Sequence, residues 1–84
     1  MEISQLRAVL AIAKSHSFSR AAQELYLSQS TLSLQVAKLE KELGVTLFYR
    51  TTRTVHLTEA GEEFVKSAGD ILRNIRLLSQ NMSA

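Results

Sequence analysis

The chain has 84 residues, ten Lys or Arg against eight Asp or Glu, and a formal net charge of +2. That length fits one small domain, near the lower end of what buries a self-sufficient core, and so slight a charge excess says little about a polyanionic partner. The absence of cysteine excludes a disulfide framework and thiolate metal sites and fits a reducing compartment. No run approaches membrane-spanning length. Met1-Glu2 opens acidic, and residues 3–13 are amphipathic, broken by Ser4, Gln5 and Arg7, so neither a secretory leader nor a membrane partner is expected.

In chain order, the spacing predicts a helix over 3–15. Ser17 is placed to cap a short second helix, 18–25, that buries Phe18, Ala21, Ala22 and Leu25. A break falls at Tyr26-Leu27. Ser28 then caps a longer helix, 29–43, along which Leu32, Val36, Leu39 and Leu43 form one apolar stripe. The opposite face carries Ser30, Ser33, Leu34, Ala37 and Lys41, flanked by Thr31 and Lys38, with no acid in its first turns. Two helices meeting steeply, the second with small polar residues at its start, follow the plan of a helix-turn-helix DNA reader. Gly44 is placed to end that helix. Strands are expected at 47–50 and 55–57, with Thr51-Thr52-Arg53 as a polar tip, which makes a wing; Thr58 opens a last helix, 58–81.

The charges are unevenly spread. Residues 3–23 hold Arg7, Lys14 and Arg20 without an acid, and 43–58 hold Arg50 and Arg53 without one, whereas the acids gather at Glu40, Glu42 and in the last helix. Basic surface beside a reading helix suits phosphate contact, although such stripes also serve as solvated faces. Gln29 has the amide to pair bidentately with adenine. Ser30, Thr31 and Ser33 donate or accept and so specify weakly; the same residues also suit any helix start. Leu34 can meet a thymine methyl. Arg53 reaches phosphate or an adjacent minor groove, Thr51 and Thr52 can bond phosphates, and Arg20 is a further phosphate contact. Arg50 either touches phosphate or pairs with Glu40. Ser28 and Lys38, bordering this face, complete the expected contact set. His16 and His56 lie too far apart for a local metal motif and read as surface or helix-end side chains.

In the last helix Phe64, Ala68, Ile71, Ile75, Leu78 and Met82 are spaced as a heptad seam, widened by Val65 and Leu72. The stripe packs either on its own domain or on a second chain. A helix of that length spans about 36 Å, more than so small a body covers, which favours self-association.

The segment FSRAAQELYLSQSTLSLQVAKLEKELGVTLFYRTTRTVHLTEAG resembles the N-terminal DNA-binding domain of LysR-type transcriptional regulators. Ala21-Ala22, Leu25, Ser28-Gln29, Leu32-Ser33, Leu39-Glu40, Leu43-Gly44, Leu47-Phe48, Arg50, Leu57-Thr58 and Ala60-Gly61 carry the likeness in register. Ser30 stands where that family often has proline, and Leu34 where it often has a basic or amide side chain. The resemblance implies a mainly α fold: a winged helix-turn-helix of three helices and a two-stranded wing over 1–58, then a linker and dimerisation helix over 59–84. It implies a cytoplasmic homodimer, joined through antiparallel last helices, that binds inverted-repeat duplex DNA and regulates transcription. The family's effector-binding domain is missing here, so no small-molecule site, cofactor or response to an inducer is expected. No catalytic constellation is visible. The alternative is a helical protein-interaction module that has lost DNA binding, which the near-neutral reading face would suit.

Overall fold

Helix ends in this chain are set by side-chain caps and left-handed residues, since it contains no proline. The computed structural model describes residues 1–51 and 53–83. Helix α1 spans Ile3–Ser15. The Glu2 backbone N–H donates to Gln5 Oε1 (2.7 Å) at its start, and His16, in the left-handed region at φ 56°, closes its end by donating its N–H to the Ile12 carbonyl. Ser17 then caps α2, Phe18–Glu24, its Oγ accepting from the Arg20 N–H. The chain turns through Leu25 and a left-handed Tyr26 (φ 57°), and Ser28 Oγ accepts from the Thr31 N–H to start α3, Gln29–Leu43. Left-handed Gly44 (φ 71°) ends α3; here glycine meets no steric penalty.

Strands β1 (Phe48–Arg50) and β2 (Val55–Leu57) pair antiparallel, with Phe48 opposite Leu57, Tyr49 opposite His56 and Arg50 opposite Val55. Helix α4 runs Glu59–Ser83. The architecture is therefore the expected one, with small shifts. Leu25 caps α2 and is half-buried, α4 begins one residue after Thr58 and continues to Ser83, and β1 begins at Phe48. Leu47 falls outside the ladder because its polar groups are spent elsewhere: its N–H donates to Glu40 Oε2 (2.6 Å) and its carbonyl accepts from the Thr58 N–H (3.0 Å).

Helix α1 is the hub, packing against α2, α3 and α4. Val9 and Ile12 of α1, Leu32, Val36 and Leu39 of α3, and Leu47 are fully buried. Phe18, Ala21, Ala22 and Phe48 close the cluster. Each such aliphatic burial contributes about 1.5–3 kcal/mol, so the α3 stripe alone fixes how that helix is rotated about its axis.

Helix α4 divides in two. Phe64 and Val65, expected at a dimer seam, are half-buried against the core, and Ala68, expected there too, is 2% exposed in the single chain. Beyond them Ile71, Leu77, Leu78 and Met82 are exposed and Leu72 and Ile75 half-buried, on a molecule whose longest dimension is 47 Å.

The start of α4 is clamped to the wing. Thr58 Oγ1 donates to the Thr46 carbonyl and accepts from the Gly61 N–H. A Cβ on Gly61 would overlap the Leu47 carbonyl oxygen, so only glycine lets the helix approach this closely. Gly61→Ala should therefore lower stability by at least about 2 kcal/mol in urea unfolding. Gly69→Ala, where an added Cβ meets open space, should raise it by about 0.5–1 kcal/mol.

Candidate nucleic-acid interface

A cleft of about 380 Å³ opens where the wing meets the starts of α2 and α3. The fold brings Gln29 and Ser33 from α3 together with Arg50, Thr51 and Arg53 from the wing on its walls. These five were expected to contact DNA, and the tertiary fold brings the two elements that carry them, α3 and the wing, to one cleft. His16, Ser17, Ser19 and Thr54 line the same cleft and were not anticipated as contacts. Their only sequence signal was position: the first three surround the α2 cap, and Thr54 follows the wing tip.

The remaining expected contacts lie outside the cleft walls. Ser28, Ser30 and Thr31 are exposed at the tip of α3, Leu34 lies 55% exposed one turn further, and Lys38 another turn on. Arg20 is exposed on α2. Ser28 Oγ donates to Thr31 Oγ1 (2.8 Å) and lies 3.2 Å from Ser30 Oγ, so the hydroxyls at the helix start also serve one another. The free N–H groups and positive dipole end of this 15-residue helix share that tip. Thr52 lies outside the described residues.

The wing tip is shaped by Thr51. Its Oγ1 accepts from the Arg53 and Thr54 N–H groups (3.2 and 3.0 Å), and its own N–H donates to the Thr54 carbonyl. Arg53 is thereby held at the turn with its side chain in solvent.

Arg50 takes a third course beyond the two weighed from sequence. The strand register turns it to the same face as Phe48, where its guanidinium lies 4.1 Å from the centroid of the Phe18 ring. Phe18 in turn meets Phe48 edge to face, 5.8 Å between centroids. No Arg50–Glu40 pair forms among the described residues; Glu40 accepts instead from the Leu47 N–H, tying α3 to the base of the wing. Stacking on a largely buried ring contributes about 0.5–1 kcal/mol and orients the guanidinium while its edge still borders the cleft.

The two histidines, distant in sequence, come within 5.9 Å between ring centroids. His16 Nδ1 lies 3.3 Å from the Val55 carbonyl oxygen. No group of three or more metal-binding side chains assembles among the described residues. The cleft walls carry Arg50 and Arg53 and no carboxylate, so their charge suits an anion.

Residues 3–62 match the lysR family of bacterial regulatory helix-turn-helix proteins. The HTH-type transcriptional regulator BudR of Klebsiella aerogenes is 50% identical over 72 residues, which cover 86% of this chain and 50% of that protein. The DNA-binding transcriptional dual regulator OxyR of Escherichia coli is 43% identical over 83 residues, 99% of this chain and 27% of OxyR. The chain thus spans half the length of one relative and about a quarter of the other. Among solved structures, the BenM DNA-binding domain in complex with catB site 1 DNA superposes with a TM-score of 0.95 at 35% identity, covering 99% of this chain and 92% of that one. The CbnR DNA-binding domain in its DNA complex gives 0.94 at 34% identity, covering 99% and 95%. With the family model matched over residues 3–62 and the fold superposed across nearly the whole length, this chain belongs to the lysR family of bacterial regulatory helix-turn-helix proteins.

Proposed function

We propose that the chain binds duplex DNA as a dimer and regulates transcription, with residues 1–58 as the reading unit and α4 as the linker that joins two copies. The observation that carries this reading is the cleft: the exposed start of α3 and the basic wing border one surface that no carboxylate lines. The near-complete superposition on DNA-binding domains solved with DNA supports it. The relatives are transcriptional regulators, which favours a binding module over an enzyme, and the chromosome would place its work in the cytoplasm. None of the described helices is long and apolar enough to cross a membrane.

In this reading the first turns of α3 enter the major groove. Gln29 faces adenine, Leu34 meets a thymine methyl, and Ser28, Ser30, Thr31 and Ser33 bond bases or backbone. Arg20, Lys38, Arg50, Thr51 and Thr52 hold phosphates, and Arg53 takes phosphate or the adjacent minor groove. The exposed Ile71, Leu78 and Met82, with the half-buried Leu72 and Ile75 between them, join the copies. A closed two-fold dimer then presents two α3 helices to an inverted repeat, with half-sites one helical turn or a multiple of it apart. Sensing of a small molecule would belong to parts of a longer protein.

A salt titration tests the central assignment. Affinity should fall steeply and linearly on a log–log plot, and Arg53→Ala should weaken binding to all sequences while reducing the slope by about 1 per half-site, about 2 for the dimer. Salt-independent binding, or none, would instead favour a protein-interaction module. The assembly is checked separately by sedimentation: Ile75→Glu, which would place an unpaired charge in the seam, should turn a dimer into a monomer that binds half-sites without a spacing preference. A wild-type monomer at high protein concentration would remove α4 as the joining element.

A further inference from the structure

We infer that His16 takes up a proton on DNA binding and holds a backbone phosphate as its imidazolium, an inference that rests on the DNA-binding reading above. His16 lines the cleft with Arg50 and Arg53, and it is held there from two sides. Its backbone closes α1 in the left-handed region, and its ring reaches β2, with Nδ1 3.3 Å from the Val55 carbonyl oxygen.

A carbonyl oxygen only accepts, so Nδ1 carries the hydrogen of the neutral ring and Nε2 is left as a bare acceptor. A bare acceptor repels a phosphate oxygen. Once protonated, Nε2 becomes a charged donor to the same oxygen.

The charged groups around the ring make the uptake depend on DNA. Lys14 lies on its own helix, Arg20 near the start of α2, Arg50, Arg53 and His56 on the wing, with the His56 ring 5.9 Å away. Glu59, the acid next after β2 along the chain, is not among the cleft residues. The charged residues that line the cleft, Arg50 and Arg53, are both cationic, so none of them compensates a further cation, and phosphate would.

The sign follows from linkage. A group that binds its proton more tightly in the complex strengthens binding fully below its free pKa, and that gain is lost as pH rises through the pKa in the complex. Fluorescence anisotropy with a mixed-sequence duplex of about three helical turns reads this directly, at constant ionic strength. Wild type should bind more tightly at about pH 6 than at about pH 8, by up to about tenfold for each His16 engaged and so up to about a hundredfold for a dimer, the gain that a rise of about one pKa unit in each copy gives. His16→Asn, which tolerates the left-handed backbone, should keep its helicity and show no gain between the higher and the lower pH, whereas His56→Gln should retain the gain.

NMR titration of the His16 ring in the wild-type protein supplies a readout independent of any variant: its pKa should rise when DNA is added. Affinity changing less than about twofold over that range, a full gain in His16→Asn, or a His16 titration unmoved by DNA would each overturn the inference and leave DNA binding standing. No affinity for the duplex at either pH would overturn the DNA reading and this inference with it.

Discussion

Burial of Leu32, Val36 and Leu39 against α1 governs the rest of the molecule. These residues recur on one side of α3, and sealing them against Val9 and Ile12 leaves a single permitted rotation of that helix. Everything on the far side follows: Ser30, Thr31 and Leu34 face solvent at its start, and Gln29 and Ser33 turn toward the wing. Loss of that stripe would cost core energy and, with it, the presentation of the helix.

A second set of contacts extends this rigid geometry outward. Leu47 is bonded to α3 through Glu40 and to the start of α4 through Thr58, and Gly61 permits the close approach. Two three-residue strands alone would be marginal; anchored at their base and packed through Phe48 on Phe18, they place Arg50 and Arg53 on the same cleft as the start of α3. The cleft is thus preorganised, which spares a binding partner much of the entropy of ordering the wing.

Local signals made most of the architecture legible. Ser17 and Ser28 were readable as caps because an N-cap acts over three residues, and the α3 stripe because its period belongs to one helix. The convergence of Gln29, Ser33, Arg50, Thr51 and Arg53 was expected and is found in the fold. What escaped depends on partners remote in sequence. Arg50 stacks on Phe18, 32 positions earlier, because strand register and helix packing together bring them face to face. The proximity of His16 to His56 has the same origin. The heptad pattern of α4 was readable, but periodicity alone does not separate apolar residues spent on the chain's own core, such as Ala68, from those left exposed, such as Leu78 and Met82.

The central claim is that one preformed surface, built from the α2 cap, the start of α3 and the wing, receives DNA. Amide hydrogen exchange with and without duplex DNA tests it most directly. The account predicts that DNA slows exchange in residues 16–20, 28–34 and 50–54 together and leaves the second half of α4 unchanged. Protection confined to α4, or absent from the start of α3, would contradict it.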